Sequence, residues 1–98
     1  MGIVVVSHSA EVAEATVRLV SHLANLGPDG PRLVAAGGMD DGSLGTDAVR
    51  IADAVAMADA GAGVVILGDL GSAILAASTA IDELLPPELA ARVAISAG

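Results

Sequence analysis

Three uninterrupted apolar runs punctuate the chain, Ile3–Val6, Leu33–Ala36 and Val64–Leu67, and a weaker fourth reads "RVAIS" over Arg92–Ser96. Each is short, bounded by turn residues and apolar at successive positions. Strands with this pattern are buried on both faces, as in a parallel sheet lying between helices. Helical spacing fills the gaps. From Ala10 to Leu26, the residues Ala13, Val17, Val20 and Ala24 share one face, widened by Val12, Leu19 and Leu23. Glu11, Glu14, Arg18, Ser21 and Asn25 line the opposite face, with Glu14 and Arg18 spaced for an i,i+4 pair. Asn25-Leu26-Gly27-Pro28 ends that helix. A second, capped by Thr46 or Asp47, runs to about Ala60 and closes at Gly61 and Gly63, and a third runs from about Ser72 to Leu85 before Pro86-Pro87.

The order βαβαβαβ predicts an α/β fold: an open four-stranded parallel sheet with right-handed crossovers and helices on both faces. The 98 residues are read as one domain spanning 1–98. In sheets of this kind ligands sit beyond the carboxyl ends of the strands. Three loops therefore matter: Ser7–Ala10, Gly37–Asp47 and Gly68–Ser72.

Composition narrows what those loops can do. Hydrophobic residues make up 54% of the chain, yet Phe, Tyr and Trp are absent, so the core is built from Val, Ile, Leu, Ala and three Met. No stacking platform for bases and no aromatic cage can be assembled from such a chain. Twelve acidic residues against four Arg, with no Lys, give a net charge of −8. That balance lacks a basic footprint for nucleic acid, is repelled by anionic membranes and suits a basic partner. Zero Cys removes disulfides, thiolate nucleophiles and thiolate metal sites together. The N-terminus has no basic region ahead of its apolar run, so it does not read as a signal peptide. The most hydrophobic stretch, Ala60–Ile81, contains Asp69 and four glycines and is read as strand and helix of a soluble core. A cytosolic protein is expected.

The first loop carries His8, one of two histidines, between a strand end and the first turn of a helix. Free N–H groups and the helix dipole favour an anion there, such as a phosphoryl group. A neutral imidazole is a good nucleophile, and Ser7 and Ser9 place hydroxyls beside it. Position alone leaves a structural histidine equally open. His22 lies mid-helix on the polar side and reads as a solvated surface residue. The second loop, "GGMDDGSLGTDA", has four glycines in ten residues, which permits positive φ and close backbone approach. It is no P-loop, since the Gly-Lys-Ser/Thr ending is missing. Asp40 and Asp41 have the chemistry to ligate a hard cation but are read as solvated. Thr46 can cap a helix or donate to a phosphoryl oxygen, with capping the simpler role. The third loop, "GDLGSA", puts Asp69 at the end of the third strand. With strands ordered 2-1-3-4, Asp69 ends near His8, where its carboxylate can accept the second imidazole N–H and fix the tautomer. A plain helix-N-terminal Asp fits locally as well. A receiver domain is excluded, because the first strand ends in His and Ser and no Lys exists.

With these loops assembled, the chain resembles the phosphotransfer subunits of phosphoenolpyruvate (PEP)-dependent dihydroxyacetone kinases (the DhaM type). The N-terminal domain of those subunits is similar to the mannose-family IIA domain of the sugar phosphotransferase system (PTS). The resemblance rests on "IVVVSHSAEVAEATVRLV", "AAGGMDDGSLGTDAVRIADAV" and "VVILGDLGSAILAASTAIDELL", which cover most of the chain in the expected order. It implies that His8 takes a phosphoryl group from the phosphocarrier HPr and passes it to ADP on the nucleotide subunit of the kinase. It implies Asp69 as the group orienting His8. Ser7, Ser9, Gly37, Gly38, Thr46 and Ser72 are implied as phosphoryl-binding or supporting residues, with no metal and no cofactor on this chain. Homodimers are usual in the family. Relatives generally continue into a C-terminal segment that can contribute to dimer packing, and fused donor domains in some have no counterpart within 98 residues, so a donor acting in trans is expected. A regulatory module that signals its phosphorylation state, a IIA domain of a sugar transporter and a purely structural domain remain the alternatives.

Overall fold

The computed structural model describes residues 2–23, 32–39, 45–59, 61, 63–68 and 71–96. Four parallel strands, β1 (Gly2–Ser7), β2 (Arg32–Gly37), β3 (Val64–Gly68) and β4 (Val93–Ser96), form one sheet in the order β2-β1-β3-β4. Between them run α1 (Ala10–Leu23), α2 (Ala48–Ala58) and α3 (Gly71–Thr79). The predicted class and strand order are therefore those observed. The expected end of the first helix falls outside the described residues.

Register divides each strand between two faces. Val4, Val34, Ile66 and Ile95 align on one face, together with Val6, Ala36, Val64 and Val93. On this side α2 presents Ile51, Ala54, Val55 and Ala58, and α3 presents Ala73 and Ala77, all buried. Alanine at most of these helical positions lets the helices approach the sheet closely, so Val and Ile suffice to fill the layer without aromatic side chains. Fully burying each Val or Ile contributes roughly 1.5–3 kcal/mol.

The other face carries Ile3, Val5, Leu33, Val65, Leu67 and Ala94. A right-handed crossover from β1 back to β2 puts α1 on this side, whereas the crossovers from β2 to β3 and from β3 to β4 put α2 and α3 on the opposite one. Hence, among the described elements, α1 alone covers this second face, and it packs over β1 and β2. Ala13 is fully buried, but Val12, Leu19 and Val20 stay exposed, as do Leu67 and Ala94 on the sheet. Among the described residues, the even cover implied by the all-apolar strands is absent over the β3–β4 half.

Two local features depart from the expected helix between Ser72 and Leu85. After Thr79 the helix widens into a five-residue π segment, Ala80–Leu84, closed by Leu85 N–H donating to the Ala80 carbonyl at 3.0 Å. Leu85 precedes Pro86 and is forced to an extended ψ of 147°, so its N–H closes the last turn one residue wider than an α-helix would. A one-turn helix, α4 (Pro87–Ala90), then begins with proline at its first position and leads into β4.

Candidate active site

Parallel pairing brings the carboxyl ends of β1, β2 and β3 to one edge of the sheet. Ser7 is paired with Gly37, and Val6 with Gly68, so the turn after β1 lies between the ends of its neighbours. His8 sits at that turn, half-buried.

The backbone around His8 is held from several directions. Ser7, 2% exposed, accepts the Ser9 N–H on its Oγ at 3.2 Å, and its carbonyl accepts the Gly38 N–H at 3.3 Å. The His8 carbonyl accepts the Gly45 N–H at 2.8 Å. Ser9 caps α1: its Oγ accepts the Val12 N–H at 3.3 Å and its carbonyl the Ala13 N–H at 3.1 Å. The Ser-His-Ser triplet thus divides its work. Ser7 ties the turn internally, Ser9 starts the helix, and His8 lies between them at the positive end of α1.

Gly37 makes this arrangement possible. A Cβ at position 37 would lie 2.6 Å from the Ser9 carbonyl oxygen and 3.0 Å from both the Ala10 Cα and the Ala13 Cβ. Only a bare backbone lets the first turn of α1 rest on the end of β2. Gly38 follows with φ +72°, which turns the chain away and aims its N–H at Ser7.

Asp47, rather than Thr46, caps α2, its Oδ1 accepting the Val49 N–H at 2.9 Å. The carboxylate is the stronger acceptor at a helix N-terminus and takes the cap position. Thr46 is thereby one residue ahead of the cap and next to Gly45, at the His8 end of the loop. Asp40, Asp41 and Asp69 lie outside the described residues. Ser72 falls within α3, with its side chain outside the described set. His22 is exposed in the last turn of α1, remote from His8. The sequence reading singled out Gly37 and Gly38 but not Gly45, whose bond to His8 carries no signal beyond the glycine itself.

No helix among the described residues is long and apolar enough to cross a membrane. At the opposite, amino edge, Asp59 accepts the Gly61 N–H at 3.0 Å and pairs with Arg92 at 2.8 Å, and these hold its carboxyl below the usual carboxylate range. That cluster ties the end of α2 to the start of β4 and takes no part in the site.

Comparison with known proteins agrees with this layout. The family model described as the PTS system fructose IIA component matches residues 2–96. The chain is 40% identical over 100 residues to the phosphoryl donor subunit DhaM of PEP-dependent dihydroxyacetone kinase from Escherichia coli, covering 99% of this chain and 20% of that protein. It is 38% identical over 95 residues to the donor subunit DhaM of PEP-dependent dihydroxyacetone kinase 2 from Listeria innocua, covering 97% of this chain and 73% of that one. A crystal structure of a protein of unknown function, EF1359, superposes with a TM-score of 0.80 at 29% identity, over 95% of this chain and 70% of the other. The chain thus spans about a fifth of the enterobacterial relative and nearly three quarters of the Listeria one.

Proposed function

The chain belongs to the PTS fructose IIA component family, and from that premise we propose that it is a phosphohistidine carrier serving a PEP-dependent dihydroxyacetone kinase. The observation that carries the reading is the pinned His8 turn: an imidazole at the end of a central strand, directly ahead of a helix whose first N–H groups favour a phosphoryl anion. The relatives named as phosphoryl donor subunits supply the acceptor system.

In this reading an unprotonated ring nitrogen of His8 attacks the phosphorus of phosphohistidine on HPr. The donor P–N bond breaks as the new P–N bond forms, and the departing imidazole takes up a proton. One P–N bond replaces another, so the step needs positioning more than driving force. A terminal oxygen of ADP on the kinase's nucleotide subunit then attacks the same phosphorus. The P–N bond breaks, ATP forms, and His8 returns to neutral imidazole after taking a proton. Asp69, which follows Gly68 in the sequence, is assigned the role of accepting the second imidazole N–H. Backbone N–H groups at the start of α1, with the hydroxyls of Thr46 and Ser72, are assigned to the phosphoryl oxygens. The net charge of −8 favours a basic donor surface, and the relay is cytosolic.

The half-covered second face of the sheet supports a homodimer. Between α1 and β3 lies an apolar groove of about 230 Å³ lined by Ile3, Val5, Val12, Val20, Leu33 and Leu67. A second copy is read as its cover. Leu67→Arg is expected to shift the chain to a monomer in light scattering while far-UV circular dichroism stays unchanged; an unaltered dimer would refute this use of the face.

Labelling tests the reading. With radiolabelled PEP, enzyme I and HPr, the wild-type chain and His22→Ala take up an acid-labile, alkali-stable phosphate, whereas His8→Ala takes up none. Equal labelling of the two variants would sink the assignment. Adding the ADP-loaded nucleotide subunit then discharges the phosphate; a purely regulatory module would retain it.

A further inference from the structure

We propose that Gly45 is a positioning residue for His8, holding the nucleophile's backbone through its own N–H. The inference rests on the reading of His8 as the phosphoryl acceptor. The two peptide units flanking His8 are both fixed by hydrogen bonds. On one side the Ser7 carbonyl accepts from Gly38 at 3.3 Å. On the other, the His8 carbonyl accepts from Gly45 at 2.8 Å and the Ser9 N–H donates to Ser7 Oγ at 3.2 Å. Fixing both units fixes the direction of the His8 Cα–Cβ bond, which leaves only side-chain torsions to aim the ring. Of these bonds, the one from Gly45 is the shortest, and it alone comes from the α2 end of the second loop.

Glycine is required at 45 for that bond. Its φ is +144°, a conformation L side chains rarely adopt. A Cβ there would also lie 3.0 Å from Met39 Sδ and 3.1 Å from Met39 Cγ. Met39 is partly exposed and its side chain is flexible, so it gives way, but the backbone requirement remains. Any side chain at 45 therefore turns the peptide and draws its N–H off the His8 carbonyl. Thr46 follows directly, so the same change also displaces the hydroxyl assigned to the phosphoryl group.

Gly61 provides the control. Its φ is +98°, a Cβ there meets nothing within 4 Å, and its N–H bonds Asp59 at the opposite edge of the sheet. Gly61→Ala carries a comparable backbone cost without touching His8.

The two variants are compared for urea midpoint, for single-turnover uptake of phosphate from phospho-HPr, and for the NMR ring resonances of His8 and His22. Both are expected to lose some stability. Only Gly45→Ala is expected to slow uptake, by about tenfold or more, because misplacing a reacting group by ~1 Å costs up to ~100-fold. It is also expected to move the His8 ring resonances and leave those of His22 in place. Equal uptake by the two variants with unmoved His8 resonances would overturn the proposal. Absence of labelling in the wild type would defeat the carrier reading instead, and the resonances would still decide the role of Gly45. In the wild type the Gly45 amide should exchange at least about tenfold slower than an unstructured amide; exchange at the unstructured rate would also overturn it.

Discussion

Two glycines end strands beside His8, and replacing each by alanine separates backbone obstruction from side-chain obstruction. At position 37 the new methyl would sit 2.6 Å from the Ser9 carbonyl oxygen, about 0.8 Å inside the 3.4 Å at which ordinary contact begins. The neighbouring atoms, the Ala10 Cα and the Ala13 Cβ at 3.0 Å, are equally unable to swing aside. The first turn of α1 must therefore lift off β2. Overpacking of this kind costs roughly 1–3 kcal/mol. For a domain of this length 1 kcal/mol corresponds to roughly 4–8 °C in Tm. At position 68 the closest atom is Ile74 Cδ1 at 2.8 Å, the far end of a flexible side chain, and the next contacts begin at 3.4 Å. A rotamer change relieves it, and the lower entropy of the unfolded alanine chain offsets part of the remainder, by about 0.4–1 kcal/mol. Urea unfolding followed by circular dichroism should show Gly37→Ala destabilised by about 1–3 kcal/mol and Gly68→Ala changed by less than about 1 kcal/mol. Phosphate uptake should fall in the first variant, since the lifted turn carries Ser9 and adjoins His8. Equal midpoints for the two variants would refute the claim that α1 rests directly on the end of β2.

Other contacts give three further outcomes. Asp47→Ala removes the cap from α2 and should lower stability by about 0.5–2 kcal/mol, while Thr46→Val should leave stability nearly unchanged and affect only phosphate uptake; the reverse ranking in thermal melts would return the cap to Thr46. Ile66→Ala empties a fully buried position in the middle of the sheet and should cost about 2–5 kcal/mol by urea titration; a loss under about 1 kcal/mol would show that the surrounding alanines collapse into the space. Asp59 has a folded-state pKa depressed by the Gly61 N–H and then by Arg92, so its contribution to stability is present above the unfolded-state pKa and lost as pH falls through the folded-state value. Asp59→Asn should flatten the acid limb of the stability curve over that window, and unchanged curvature would show the pair to be idle.

The strands were readable because a central parallel strand announces itself by continuous apolarity rather than by period-two alternation: the run from Ile3 to Val6 needed no partner to be recognised. Parallel pairing, which the βαβ order implies, puts the carboxyl ends of all the strands at one edge, whereas the order 2-1-3-4 is not fixed by handedness and is seen only in the assembled sheet. Other features depend on atoms that meet only after folding. A carboxylate outranks a hydroxyl at a helix N-terminus, but which of the adjacent Thr46 and Asp47 stands at the cap depends on where α2 begins, and that start is set by packing. The π segment arises where a helix must end before Pro86, and the helical pattern runs through it unchanged. The bond from Gly45 to His8 joins residues far apart in sequence through backbone atoms alone, so side-chain chemistry gives no hint of it.

The handedness of the crossovers accounts for the uneven cover of the two faces. Because β1 returns to β2 while the later connections advance toward β4, one helix is assigned to one side of the sheet and two to the other. Each of α1, α2 and α3 begins at the carboxyl edge, so the edge holding His8 receives their positive ends together. Among the described residues, the same assignment leaves Leu67 and Ala94 without a helix above them, although Val65 and Leu67 are as apolar as the covered residues of β1. Among the described residues, the helices cover one side of β3 and leave Leu67 exposed on the other, although the strand is continuously apolar. The groove that results runs from Ile3 up to Ser7 and Gly68. A second copy seated in that groove, as proposed above, would border Ser7 and so lie next to the residue assigned the phosphoryl group.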